Sequence, residues 1–212
     1  MIGATGRPNR RIRYVQPIIR AYRPGDLESV YDICVRTAES GGDARGRYSS
    51  DRLVGDIFAA PYVTLEPELA HVLDDGDGNA VGYVLGTADT DRFVRRYRME
   101  WIPAVDGRYG DDPRDQGMLA LHHYPERMIV PQLAAYPAHL HIDLLPGWQG
   151  KGFGRGLMTA FLGGLRAAGV ARVHLGMVPT NTAARAFYDR LGFTEISVPD
   201  VENVTYLGRE TR

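Results

Sequence analysis

The sequence predicts an α/β domain, and three stretches carry that prediction. His139-Leu140-His141-Ile142-Asp143-Leu144-Leu145-Pro146 alternates and stops at a proline. A glycine-rich turn then leads into Leu157, Met158, Phe161, Leu162 and Leu165 at helical spacing. Glu68 to Asp74 and Ala80 to Ala88 flank Asp75-Gly76-Asp77-Gly78-Asn79, residues that tolerate the positive backbone angle of a tight turn, so they read as a hairpin. Val173 to Val178 reads as another strand, followed by a helix that begins at Asn181.

The elements follow in order. Pro17 to Tyr22 is a short first strand, and Arg23-Pro24-Gly25-Asp26 turns into a helix running to about Glu39. Asp26 is the expected N-cap, with Leu27, Val30, Ile33 and Cys34 on the buried face. A glycine-rich loop spans residues 41–48, and Ser49 or Ser50 is placed to cap a helix through Phe58. The acidic hairpin tip lacks the spaced ligands and closing Glu of a calcium loop and reads as a solvated turn.

Residues 89–138 form a long insertion between two strands. A structureless loop of that length is improbable in a compact domain, so at least one helix is expected. Phe93, Val94, Tyr97 and Trp101 recur at helical spacing, Pro103 to Gln116 is loop-like, and Pro125 and Pro131 interrupt the remainder. Trp101, Tyr109 and Tyr124 are candidates for roofing an acceptor pocket, for a homodimer contact, or for a plain packing layer. Glu195 to Leu207 supplies one or two closing strands.

With 212 residues the chain can build one substantial core and is short for two. The expected organisation is a basic, flexible leader at 1–16 followed by a single domain at 17–212 that carries the insertion. A formal net charge of −1 gives no polyanion footprint, so nucleic acid is not the expected partner. No apolar stretch approaches the ~20 residues needed to span a bilayer, and the leader lacks the apolar segment of a secretory signal. The single cysteine, Cys34, falls in an apolar helical pattern and reads as a buried thiol, which suits a reducing cytoplasm.

The functional information concentrates in Gln149-Gly150-Lys151-Gly152-Phe153-Gly154-Arg155. Its glycines let successive amide N–H groups point at one place beside a helix N-terminus, a cradle for phosphate. Lys151 and Arg155 add positive charge, and Lys151 is the only lysine among 25 basic residues. The spacing fits neither the dinucleotide fingerprint nor the ATP-binding P-loop: counting from Gly150 the sixth residue is Arg155, and Lys151 is followed by glycine rather than Ser or Thr.

It does resemble the signature of the GNAT superfamily of acyl-CoA N-acyltransferases: Gln or Arg, two residues, Gly, one residue, Gly or Ala. A second motif of that family is matched by Asn181, Tyr188 and the closing Leu191-Gly192-Phe193. The opening at 18–26, the long insertion and Tyr206-Leu207-Gly208-Arg209 further resemble bacterial relatives of the acetyltransferase-like C-terminal domain of O-GlcNAcase. The animal domain is regarded as a pseudo-acetyltransferase because its CoA loop is degraded. This chain keeps the loop, so CoA binding is expected.

The resemblance implies the GNAT fold, a mixed and mostly antiparallel central sheet flanked by helices, and acetyl-CoA as cosubstrate. It further implies that the strand at 140–145 splays from 173–178 and admits the pantetheine arm against Ile142, Leu144 and Leu145. A bulge near Leu144 or Leu145 would then supply an N–H to the thioester carbonyl. The pyrophosphate would lie on amides from Gly150 to Arg155, framed by Gln149, Lys151, Phe153 and Gly154, with Asn181 and Ala184 beside the cofactor arm. Tyr188 would protonate the leaving sulfur, or would only pack on the pantetheine.

His139, His141 and Asp143 alternate and share one face of a strand. Asp143 is the candidate to hold or deprotonate the acceptor ammonium, and His141 is second. The same three residues also read as satisfied polar groups beneath the insertion, or as a metal set for a hydrolase. The activity expected is transfer of acetyl to a primary amine of a small molecule or peptide, with a non-catalytic acyl-CoA-binding module as the alternative.

Overall fold

The computed structural model describes residues 16–199 and 201–212, so the expected leader lies, up to position 15, outside the described residues. Seven strands form one sheet: β1 (Ile18–Ala21), β2 (His71–Asp74), β3 (Ala80–Thr87), β4 (Ala138–Leu144), β5 (Arg172–Met177), β6 (Thr194–Ile196) and β7 (Thr205–Glu210). Their order is β1-β2-β3-β4-β5-β7-β6, and every neighbouring pair is antiparallel except β4 and β5. The sheet is mixed and mostly antiparallel, as the motifs implied.

Helices cover both faces. On one side lie α1 (Leu27–Thr37), α2 (Arg52–Phe58) and α3 (Ala60–Leu65); on the other lie α7 (Phe153–Ala167) and α8 (Thr182–Arg190). All of β3 is buried, because Tyr83 and Leu85 enter the first core while Val84 enters the second. Helix α7 buries Leu157, Met158, Phe161, Leu162 and Leu165, each contributing roughly 1.5–3 kcal/mol. It approaches the sheet so closely at Gly86 that a β-carbon there would lie 2.3 Å from the His139 carbonyl and 2.6 Å from Phe161.

The entry to α1 differs from expectation. Asp26 does not cap the helix through its side chain; the chain enters by a 3₁₀ turn, Pro24–Asp26, and α1 ends at Thr37. The Asp26 carboxylate accepts two bonds from the Arg20 guanidinium, at 2.7 and 2.8 Å, and one from the Arg23 N–H at 2.8 Å. A paired guanidinium outcompetes a single capping amide. Arg20 also donates to Asp74, so one side chain joins β1, β2 and the start of α1.

The insertion folds into α4 (Thr90–Arg96), a π-helical turn (Tyr97–Trp101), α5 (Ile102–Val105), α6 (Gln116–His122) and short 3₁₀ turns. Pro103 does not begin a loop, because it sits in the first turn of α5, where its missing N–H costs little. Trp101 donates to the Asp56 carbonyl at 2.7 Å, and the hydroxyls of Tyr109 and Tyr31 donate to the Asp56 carboxylate. Trp101 and Tyr109 therefore act as a packing layer over α2, while Tyr124 is 59% exposed. Among the described residues no helix is long and apolar enough to cross a membrane.

Candidate active site

The parallel joint between β4 and β5 is short. Only Ala138↔Val173 and His139↔His174 pair, and beyond them the strands part. On its other edge β4 pairs with β3 in unbroken register from Thr87↔His139 to Gly82↔Leu144. The Leu145 N–H continues this ladder by donating to the Val81 carbonyl at 3.0 Å. Main-chain groups alternate in direction along an antiparallel edge, so residues 141, 143 and 145 bond towards β3 while 142 and 144 face the gap.

Two expectations are corrected here. The register contains no bulge at Leu144 or Leu145, and the Leu145 N–H is already committed. The Leu144 carbonyl accepts from the Gln149 side chain at 2.8 Å. The N–H and C=O of Ile142 and the N–H of Leu144 remain open to the gap.

The glycine turn stands at the mouth of this gap. Gly150 and Gly152 adopt φ of +71° and +88°, left-handed values that favour glycine. Among the described residues, the N–H groups of residues 150–154 have no main-chain acceptor, and the first amide to find one is that of Arg155, donating to Gly152 at 3.1 Å. Five adjacent donors without main-chain acceptors at the start of α7 make a nest of the kind suited to an anion. Gly154 serves a different purpose: a β-carbon there would lie 3.1 Å from the Phe187 ring, a tight contact from which the ring would have to give way.

Nest and gap open into one cleft of about 510 Å³, within the size range of small-ligand sites. Of the residues singled out from sequence, Ile142, Asp143, Leu144, Gln149, Gly150 and Gly152 line it, as do Gly154, Arg155, Asn181, Ala184 and Tyr188. Lys151, Phe153, Leu145 and His141 do not. Lys151 places its Nζ 5.7 Å from the Trp148 ring centroid, and Phe153 packs on the same ring. Asn181 is both cap and tether: its Oδ1 accepts from the Ala184 N–H at 3.0 Å and its Nδ2 donates to the Ser40 carbonyl at 3.4 Å.

Asp143 stands opposite Tyr83 in the register, and the Tyr83 hydroxyl donates to its Oδ2 at 2.8 Å. Burial pushes the Asp143 carboxyl up to about 6, despite the opposing effect of that hydrogen bond. Tyr188 is 8% exposed, and its phenol makes no protein hydrogen bond among the described residues. Burial, reinforced by the charge of Asp143, raises the Tyr188 hydroxyl above its ordinary value, so it keeps its proton at neutral pH. Cys34 is buried and its thiol is pushed up to about 12 by burial, which makes it an inert structural thiol.

The histidines share the Asp143 face of β4 but lie outside the cleft, against α3 and the insertion. Thr90 Oγ1 donates its one hydrogen to the Pro137 carbonyl, so it accepts from His139 Nδ1–H at 2.8 Å. His139 Nε2 is then an acceptor for the Tyr62 hydroxyl at 2.7 Å, and the Tyr62 oxygen accepts from His141 Nε2–H at 3.2 Å. Burial drives His141 down to about 4, leaving it neutral at pH 7. With both imidazoles turned to Tyr62 and Asp143 held by Tyr83, the three side chains do not form a metal-ligand cluster.

Several residues of the site were not singled out one by one from the sequence. Thr37, Ser40 and Gly41, from the end of α1 and the loop after it, line the cleft opposite the nest, as does Arg190. The Gly41-Gly42 pair marks a turn, but nothing local says that it meets α8.

A family model described as the acetyltransferase (GNAT) family matches residues 30–193. The chain belongs to the GNAT acetyltransferase family. The crystal structure of a protein named SsHAT is 62% identical with a TM-score of 0.88, over 93% of this chain and 99% of that one. Protein O-GlcNAcase of Rattus norvegicus is 28% identical over 200 residues, 90% of this chain; the GNAT chain spans 22% of the length of that relative. Mycothiol acetyltransferase of Nocardiopsis dassonvillei is 50% identical over 137 residues, 63% of this chain and 41% of that protein.

Proposed function

We propose that the protein is an acetyl-CoA-dependent N-acetyltransferase that moves acetyl to a primary amine by direct attack on the thioester. One observation carries this reading. The glycine turn, whose amides at 150–154 have no main-chain acceptor, brings Gly150, Gly152 and Gly154 to the same cleft as Ile142 and Leu144, and that cleft also holds Asp143 and Tyr188. A diphosphate on the nest leaves an extended thioester arm the length of the gap, where it completes the unpaired edge of β4. Membership in an acetyltransferase family supports the same donor.

The chemistry follows from what faces the cleft. The acceptor ammonium gives a proton to Asp143, whose raised value brings it nearer neutral pH than His141 at about 4. The neutral amine attacks the thioester carbonyl, forming the new C–N bond. The N–H of Leu144 or Ile142 holds the oxyanion. When the C–S bond breaks, Tyr188 gives its proton to the departing thiolate of CoA and is reprotonated by the extra proton that the attacking nitrogen sheds as the amide forms. The acceptor is the amine of a small molecule or peptide, reached from the side of Thr37 and Ser40. The working unit is one domain, residues 17–212, and the cytoplasm is its expected compartment.

Calorimetry of the protein with acetyl-CoA, beside acetyl-CoA consumption over a panel of chemically diverse amines, tests this. Binding with amine-dependent release of CoA is the expected result. Tight binding without turnover on any amine makes the protein a non-catalytic acyl-CoA-binding module, and absence of binding removes the reading altogether.

A further inference from the structure

The insertion carries a cluster that the acyltransfer chemistry does not use. His122 ends α6, His123 follows it, and Asp106 lies in the turn after α5. One ligand atom from each lies within 4.8 Å of the others. His123 Nε2 is 3.0 Å from Asp106 Oδ1, and His122 Nε2 is 3.9 Å from the same oxygen.

His122 is the informative member. It is 2% exposed, and its Nε2 is buried with no hydrogen-bond partner. Its other nitrogen, Nδ1, lies 2.9 Å from the Tyr97 hydroxyl. A buried ring nitrogen left unpaired costs about 1–3 kcal/mol, so it calls for an explanation. In the tautomer whose Nδ1–H donates to Tyr97, Nε2 carries a bare lone pair in the space beside Asp106, 3.9 Å from its Oδ1. Holding the second nitrogen in this way is how a protein orients a metal-binding imidazole. The nearby cation, Arg108, is engaged with Asp56 at 3.1 Å.

We propose that Asp106, His122 and His123 bind a divalent transition-metal ion of the zinc class, clipping the turn after α5 to the end of α6. Two imidazoles and one carboxylate are the donors such an ion takes, with a fourth position left for water on the exposed side. Calcium and magnesium are disfavoured, because two of the three donors are nitrogen. The clip closes the irregular segment 106–115 into a loop fixed at both ends and would stiffen the layer that carries Trp101 and Tyr109 onto α2. It stands apart from the acyl-CoA cleft and does not depend on the function assigned to it.

The test is calorimetry of the untagged, metal-stripped protein with zinc chloride alone, beside the visible spectrum of its cobalt form. The expected result is one equivalent of zinc bound and a tetrahedral cobalt spectrum. Asp106→Asn and His123→Gln, both at exposed positions and so not expected to unfold the chain, should each weaken zinc at least about 10-fold, and Tyr97→Phe about 10- to 100-fold. No zinc bound by the parent protein, or the same affinity in Asp106→Asn and His123→Gln as in the parent, overturns the proposal.

Discussion

Replacing Asp143 by Asn should make the protein more stable and less active at once. A carboxyl that ordinarily titrates at 3.8 here holds its proton up to about 6. At 1.36 kcal/mol for each tenfold change, that sets about 3 kcal/mol against the ionised form in the folded state. The sign follows from linkage: the folded-state value is raised, so the penalty is absent well below 3.8, grows as pH rises, and is complete above about 6. Because the cleft is open to water, screening reduces the gain expected from Asn to about 1–2 kcal/mol at alkaline pH. Asn keeps an oxygen for Tyr83, so the hydrogen bond survives in neutral form. The same substitution removes the proposed base and should lower kcat by about 10²- to 10⁴-fold. Urea unfolding of both proteins at about pH 8 and about pH 4, with turnover on any accepted amine, reads both effects. A variant that is no more stable at pH 8, or whose advantage does not shrink at pH 4, refutes the burial argument; unchanged turnover refutes the role.

Tyr188→Phe should lower kcat by about 10²-fold or more while leaving CoA affinity within a few-fold, because the ring stays and only the proton donor goes; equal rates remove the acid assignment. Gly152→Ala meets no atom within 4 Å, but its φ of +88° costs about 1–2 kcal/mol in a residue with a β-carbon. If the nest relaxes to relieve that strain, CoA binding weakens by about tenfold per 1.4 kcal/mol, which calorimetry measures. Asp56→Ala strips the buried partner from Tyr31, Tyr109 and Arg108 and should cost about 2–4 kcal/mol in denaturant unfolding, with little change in CoA affinity.

What the sequence made legible was local. The alternation of 139–145, the glycine turn, the hairpin and the Asn181 start all depend on neighbours in the chain, and each element lies within three residues of its expected place. What it hid was set by distant partners. Asp26 reads as a cap until Arg20 and Asp74 are brought beside it by strand pairing. Asp143 was visible as a strand residue, but its raised value depends on burial in the fold, and its Tyr83 partner on the β3–β4 register. The insertion's aromatic residues looked free for a ligand because Asp56, which holds two of them, lies far back in the chain on α2.

The two-pair joint between β4 and β5 has a mechanical consequence. Strands β1 to β4 and strands β5 to β7 are two rafts moored at one end, with no rungs across the rest of the seam. A thioester arm lying along that seam would act as the missing crosspiece, so amide hydrogen exchange on β5 and on α8 should slow on loading far more than exchange within the β2–β3 hairpin.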